Sequence, residues 1–535
     1  MCGIFYTNEE PDDQSPSGNA QAAQACINSL RHRGPDKSTT LVLPSGAMLG
    51  FHRLMINGQS AASDQPLHRN GNYLLCNGEI YNHEALQVKY GVTCLTGSDC
   101  EIILHLYEKI GFRATVAELD GEFALVLVTP NTVYAARDPY GVRALYLAVE
   151  GTRFGLASEN KGLYPLFKPE NITQFPPGCI QQFDPFDGIP GAPEHYYTFN
   201  HEIKPPQVEV IPELRTRLIK AVVKRMMCGR TDNAGQPAIG AYLSGGFDSS
   251  AIAAILQREF PGQLHTFSIG FANSPDLLYA RKVAAHIRSN HHEVILTEAE
   301  ALAAIPEVIR MIESYDTTTV RASTMMYLLS KYISENSGVK VMFSGEGSDE
   351  ASGSYRYFHN APNSTAFHAE TLRLLRDLCY FDNLRADKSS AAWGLELRVP
   401  FLDLDFLAYY MTLDPALKTQ NGLEKYALRE AVKDYLPADV LYRAKEAMSD
   451  GVSCHGRSWS TIIQQEAIRI TGLTDGLAAE KAFYLNTFQR FYSGCEAQIP
   501  YYWLPKWCGD VQDPSARILP IYNAVLPCAP VVLEK

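Results

Sequence analysis

Apolar residues in the first two hundred positions come in short runs closed by turn residues. Residues 73–76, 123–128, 132–136 and 144–149 are each bounded by Gly, Asn, Asp or Pro, the pattern of strands between turns. Two stretches break that rhythm as helices. Residues 20–31 are small and apolar, and in residues 98–109 Ser98 stands three positions before Glu101, in capping-box spacing. Strands with segregated helices predict an α+β layered unit. A passage containing Pro185, Pro190, Pro193, Pro205, Pro206 and Pro212 follows. Proline donates to neither helix nor sheet, so the passage reads as a connection between domains, with a surface excursion inside one domain as the alternative. Beyond it strands alternate with helices: strand 238–243, helix 249–259, strand 264–271, helix 276–288 and strand 339–343. Such alternation predicts a parallel sheet covered on both faces. The last hundred residues, rich in Tyr and Trp, read as mostly helical.

Composition narrows the class. Hydrophobic residues are 46% and charged residues 20%, which is globular and excludes wholesale disorder. A net charge of −12 argues against broad nucleic-acid or acidic-membrane binding and leaves room only for a local basic pocket. The twelve cysteines are scattered without a CxxC pair, so neither a zinc ribbon nor a disulfide scaffold is indicated. No run approaches the ~18 apolar residues of a membrane span. The first residues lead straight into Asn8-Glu9-Glu10 with no signal peptide, so a cytoplasmic protein is expected.

Ser244-Gly245-Gly246-Phe247-Asp248-Ser249-Ser250 lies between a predicted strand and helix. Glycines free backbone amides to face a ligand, serines add hydroxyl donors, and the helix N-terminus is partly positive, all of which suits phosphate. The Walker lysine is missing. Asp248 would repel a phosphate directly, so it reads as a ligand of bridging Mg²⁺. The bland alternative is an ordinary glycine turn. Ser344-Gly345-Glu346-Gly347-Ser348-Asp349-Glu350 follows the strand 339–343, where ligands bind in open α/β sheets. Alone it reads equally well as solvated loop; paired with the first turn it offers a second metal ligand and a base.

Cys2 follows the initiator Met, and a small second residue permits removal of that Met. The freed α-amino group has a reference pKa of about 7.7–8.0, near the thiol's ~8.5, so one residue would carry both nucleophile and base. Its company is Arg31-His32-Arg33-Gly34-Pro35-Asp36, Phe51-His52-Arg53-Leu54, Asn77-Gly78-Glu79-Ile80-Tyr81-Asn82 and Gly97-Ser98-Asp99. Asn77 and the Gly78 amide can form an oxyanion hole. Arg53 can clamp an α-carboxylate, and Glu79 and Asp99 can bind an α-ammonium.

Together these segments resemble the class II glutamine amidotransferase domain, and the SGGFDSS turn resembles the PP-loop of ATP pyrophosphatases. Their order, with residues 344–350, Arg398-Val399-Pro400-Phe401-Leu402-Asp403 and Arg443-Ala444-Lys445-Glu446 following, resembles the glutamine-hydrolysing asparagine synthetase family over nearly the whole chain. The tail segments 502–507 and 513–517 share that likeness. The resemblance implies an Ntn-type αββα sandwich over 2–200 and an α/β PP-loop domain with a parallel sheet over 213–535. It places Leu54, Met55, Ile56 and Asn57 with Arg53, Asn77, Gly78, Glu79 and Asp99 around glutamine. ATP would meet Leu243, Ser244, Gly245, Gly246, Asp248, Ser249, Ile269, Ser344 and Gly345, with Lys445 on the phosphates. Asp248 and Asp349 would hold magnesium, and Glu346 would deprotonate incoming ammonia. L-aspartate, L-glutamine and ATP are the implied substrates, a homodimer the candidate assembly, and neither nucleic acid nor membrane a partner. An internal passage for ammonia is expected, because exclusion from water protects it.

Two segments depart from the family pattern, Ile56-Asn57-Gly58 and Ala351-Ser352-Gly353-Ser354. Neither is expected to touch a residue that does chemistry. Phosphoribosyl amidotransferases and sugar-phosphate aminotransferases share the N-terminal motifs but lack SGGxDS. β-Lactam synthetases lack the cysteine, and a non-enzymatic sensor would have lost one of Cys2, Arg53, Asn77, Asp248, Glu346 or Lys445.

Overall fold

The computed structural model describes residues 1–8, 16–186, 188, 190–199, 201–204, 209–454 and 456–519. Glu9, Glu10, Pro205, Pro206 and Cys528 lie outside them. The N-terminal strands are β1 (Gly3–Thr7), β2 (Lys37–Val42), β3 (Met48–Arg53), β4 (Leu67–Arg69), β5 (Asn72–Ile80) and β6 (Gly121–Val128). They continue with β7 (Val133–Arg137), β8 (Tyr146–Glu150), β9 (Arg153–Ala157), β10 (Ile172–Gln174), β11 (Cys179–Phe183) and β12 (Glu194–His195). Two antiparallel sheets result, in the orders β10-β8-β9-β1-β3-β2 and β12-β11-β7-β6-β5-β4.

Alternation along β6 explains the layering. Ala124, Val126 and Val128 meet Ile4, Tyr6, Leu49 and Phe51 of the opposite sheet. Phe123, Leu125 and Leu127 meet Ile102, Ile103 and Leu106 of the helix Glu101–Ile110. Outside the first sheet, Phe5 packs on Cys26 and Ile27 of the helix Pro16–Ser29. Because β6 is buried on both faces, its sequence is one unbroken apolar run. The unit is a helix–sheet–sheet–helix sandwich, as the resemblance implied.

Three local expectations are corrected. Ser98 does not cap the helix: Cys100 precedes it without a side-chain cap. The Glu101 carboxylate turns instead to Leu95 N at 2.9 Å, Thr96 N at 2.7 Å and Thr96 Oγ1 at 2.6 Å. The proline passage is not one connector. Pro190 bridges to Phe183 and β12 pairs with β11, so its first half belongs to the second sheet. Pro212 sits in the first turn of the helix Val210–Lys224, where a backbone N–H lacks an intrahelical partner in any case. The tail is helical through Trp459–Thr471 and Gly476–Tyr492, then runs to 519 with only short 3₁₀ turns among the described residues.

The second half carries β13 (Ile239–Tyr242), β14 (His265–Phe271), β15 (Asn290–Leu296), β16 (Val341–Phe343) and β17 (Glu396–Arg398). They pair in parallel in the order β15-β14-β13-β16-β17. Strand order reverses between β13 and β16, so the turns after these two strands open into one crevice at their carboxyl ends. β17, which the sequence pattern does not reveal, is also the seam between the halves. Its Leu397 carbonyl accepts from Arg143 Nη2 at 2.8 Å, and Val399 N donates to Glu122 Oε1 at 3.2 Å.

Candidate functional site

The first centre gathers on β5. Cys2 N donates to Asn77 Oδ1 at 2.7 Å, so the nitrogen that Met removal would expose rests on the Asn77 side chain. Arg33 Nε donates to the Cys2 carbonyl at 2.9 Å, and the same guanidinium is anchored by Glu159 at 2.5 Å and Asp387 at 2.9 Å. Leu54 N donates to Cys2 Sγ at 3.5 Å. Burial pushes the thiol up, against the pull of the nearby Met1 amine, so a neighbouring base is needed to make the thiolate. Met1 itself is buried, its amine 3.8 Å from Glu396.

Asn77 Nδ2 is buried and without a hydrogen-bond partner among the described residues. Leaving a buried donor unsatisfied costs about 1–3 kcal/mol, and beside the Cys2 thiol such a donor suits a ligand oxygen. Next to it, Gly78 has φ +154, and a Cβ there would lie 2.1 Å from the Glu122 carbonyl. Only glycine lets β5 lie this close to β6 and present that amide.

Glu79 is buried, accepts from Asn57 Nδ2 at 2.5 Å and lies 3.4 Å from Arg398 Nη2. Burial lifts its carboxyl well above the ordinary range, and Glu396 and Asp99 add to the effect. Asp99 accepts from Ile80 N at 2.7 Å, and burial raises it too. The Arg53 fork is engaged by Asp64 at 2.6 Å, Ser60 O at 3.3 Å, Asn57 O at 3.2 Å and the Gly58 carbonyl, so an incoming carboxylate would share it with Asp64. Met55 N donates to Asp36 at 2.8 Å. The Ile56 carbonyl and Asn57 Oδ1 both accept from Gly229 N, at 3.1 and 3.0 Å. Asn57 therefore bridges Glu79 to the second half.

The second centre is a cleft lined by Leu243, Ser244, Gly246, Asp248, Ser249, Ile269, Ser344, Gly345, Glu346, Asp349 and Lys445. Gly245 lies behind it: at φ +70, its Cβ would meet Ala280 N at 2.4 Å, so it seats the turn on the helix Pro275–Ile287. Ser249 Oγ accepts from Ser244 N at 3.2 Å and braces the turn. The helix Phe247–Glu259 starts there with its partial positive charge toward the cleft.

Asp248 and Asp349 converge on one cation. Lys425 Nζ lies 2.6 Å from both Asp248 oxygens and 2.5 Å from Asp349 Oδ1, while Lys445 Nζ holds the other Asp349 oxygen. Burial pushes the Asp349 carboxyl up, but Lys425 and Lys445 outweigh it and hold it below the ordinary range. Two carboxylates sharing a cation are the hard oxygen donors that magnesium prefers, and the ammonium of Lys425 stands where such an ion would be bound. Sequence reasoning missed Lys425. Its one signal is a left-handed φ of +61, unusual for lysine and costing of order 1–3 kcal/mol, which no sequence pattern displays.

Glu346 accepts from Arg385 Nη2 at 2.9 Å and from Ser344 Oγ at 3.5 Å. Burial lifts its pKa, opposed by Arg385. The second departure also reaches the site, because Ser354 Oγ donates to Asp349 Oδ1 at 2.5 Å. The two centres meet through β17, whose Arg398 touches Glu79 while its partner β16 leads into Ser344.

Family models match in the same order. A glutamine amidotransferase domain covers residues 1–212, and asparagine synthase covers 213–366 and 361–508. The chain is 40% identical over 580 aligned positions to asparagine synthetase [glutamine-hydrolyzing] of Gallus gallus, covering 98% of this chain and 100% of that protein. The Homo sapiens protein of the same name is 40% identical over 579 positions, with 98% and 100% coverage. That of Mus musculus is 40% identical over 575, with 98% and 99%. With both halves matched and relatives aligned end to end, the chain belongs to the glutamine-hydrolysing asparagine synthetases, a family of carbon–nitrogen ligases.

Proposed function

We propose that this chain makes L-asparagine from L-aspartate and ATP, with ammonia drawn from L-glutamine at the first centre. The observation that carries this reading is β17. Its Arg398 contacts Glu79, and its hydrogen-bonded neighbour β16 ends beside Ser344 and Glu346, so the two chemistries share one strand pair.

In the first half-reaction the α-amine of processed Cys2 takes the thiol proton, and the thiolate attacks the glutamine side-chain amide. Asn77 Nδ2 and the Gly78 amide receive the oxyanion. Ammonia leaves, and water releases glutamate from the thioester. Arg53, sharing with Asp64, takes the glutamine α-carboxylate. Glu79 and Asp99 face its α-ammonium, whose charge favours their ionised forms. Leu54, Met55, Ile56 and Asn57 complete the wall.

In the second, the aspartate β-carboxylate attacks the α-phosphorus of ATP and pyrophosphate leaves, giving β-aspartyl-AMP. The amides and hydroxyls of the 244–249 turn hold the phosphates, with Lys445 as counter-charge, and Leu243, Ile269, Ser344 and Gly345 lie along the nucleotide. Asp248 and Asp349 would hold magnesium, which when bound neutralises phosphate oxygens. Ammonia then attacks the acyl carbon, AMP leaves, and Glu346 accepts the ammonia proton. Its raised pKa suits a base working near neutrality. Amidotransferase and synthetase domains are proposed over 2–200 and 213–535, and a homodimer as the assembly. The cytoplasm is the proposed setting. No helix of the described residues is long and apolar enough to cross a membrane. Product analysis tests the chemistry. AMP and pyrophosphate should appear in step with asparagine and require aspartate; ADP and phosphate would overturn the adenylation step.

A further inference from the structure

We propose that Cys94, Glu101 and His105 form a binding site for a divalent transition metal of the zinc class, beside the glutamine pocket. Glu101 and His105 lie one helical turn apart, on one face of the helix Glu101–Ile110. Glu101 Oε1 and His105 Nε2 are 3.3 Å apart. The Cys94 sulfur joins them so that all three ligand atoms fall within 4.8 Å of one another. No other group of three such residues converges in this way among the described residues.

The donor types select the ion. One thiolate, one imidazole and one carboxylate are zinc ligands, and three protein ligands leave a fourth position open. Sulfur and nitrogen donors disfavour magnesium and calcium. Tetrahedral zinc needs donors about 3.3–3.8 Å apart. The Glu101–His105 pair already meets that spacing, and the sulfur would move by about 1 Å or less.

Around the ligands the structure is braced. Glu101 Oε2 is fixed by the donors of Leu95 and Thr96, leaving Oε1 to His105 and a cation. Cys94 N donates to Gln87 Oε1 at 2.8 Å, which holds the cysteine backbone in place. Hydrogen bonds that orient ligands in this way tune metal sites. The site is absent from the motifs because its cysteine lies outside the helix, seven residues before Glu101.

A consequence follows that rests on the proposed glutamine site. Residues 94–99 run from the metal ligand to Asp99, so occupancy would fix the segment carrying Asp99. It should change KM for glutamine and leave ammonia-dependent synthesis alone.

The test reads metal directly, so that its failure is distinct from failure of the proposed reaction. Chelator-stripped full-length protein is titrated with Zn²⁺ against a chromophoric chelator, and separately loaded with Co²⁺. The expected result is about one zinc per chain, with affinity at least tenfold weaker in Cys94→Ser and in His105→Gln. The thiolate-to-cobalt charge-transfer band should survive Cys2→Ala and vanish in Cys94→Ser. Cys94 is half-buried at the edge of the unit, so its serine variant should fold, with ammonia-dependent synthesis as the check. Absence of zinc binding, equal affinity in Cys94→Ser, or a band that disappears only with Cys2→Ala would overturn the site.

Discussion

Replacing Lys425 with methionine removes a cation shared by two half-buried carboxylates. The lysine side chain is 1% exposed, so solvent cannot screen the loss. Asp349 keeps Lys445, but Asp248 is left with Ser348 Oγ at 2.6 Å and with Lys445 no nearer than 4.0 Å. Removing one partner of a buried ion pair costs about 3–5 kcal/mol. The remaining lysine puts the expectation at the low end, about 3 kcal/mol. At about 2 °C per kcal/mol for a large unit, Tm should fall by about 6 °C without nucleotide or metal. Magnesium should then restore more stability in Lys425→Met than in the unaltered protein, because no ammonium competes for the carboxylate pair. Calorimetry of both proteins, with and without magnesium chloride, measures the two differences. An unchanged Tm in the variant, or an equal magnesium effect in both proteins, would refute the shared-cation reasoning.

Glu346→Ala should lower asparagine formation by about 10²-fold or more, the scale of a lost general base, while glutamate release from glutamine persists; loss of the glutaminase instead would reverse the assignment of the centres. Glu350 gives a pH signature, because burial, with Asp382 and Asp349 adding to it, pushes its carboxyl from 4.5 to about 8. The folded state therefore binds that proton more tightly than the unfolded state, a stabilisation present below about pH 4.5 and lost as pH rises through about 8. Relative to Glu350→Gln, the unaltered protein should lose stability between pH 5 and pH 8 in urea unfolding, and parallel curves would contradict this.

What the sequence made legible was whatever one short segment can express. The run 123–128 reads as a strand because both of its faces are buried, and the 244–250 turn reads as a phosphate cradle because glycine, serine and a following helix are local facts. β17 escaped because Glu396-Leu397-Arg398 is three residues with charged ends, and those charges make sense only against Glu79 and the Met1 amine of the other half. Lys425 escaped for the same reason: it acts on partners at least 76 positions away. The failed capping box shows local competition. Ser98 offered the Glu101 carboxylate one backbone donor, whereas the loop before it offered three. The contacts of Asn57 with Glu79 and of Ser354 with Asp349 were not legible because they exist only after folding.

Coupling of the two centres in one chain is tested most directly at Cys2. Asparagine is measured from glutamine and from ammonium chloride, side by side, for the unaltered protein and Cys2→Ala. In the proposed mechanism Asn77 and Gly78 receive an oxyanion, and neither would replace a covalent nucleophile. The variant should therefore form no asparagine from glutamine and should continue to form it from ammonia at close to the unaltered rate. Full glutamine-dependent synthesis by Cys2→Ala would contradict the account.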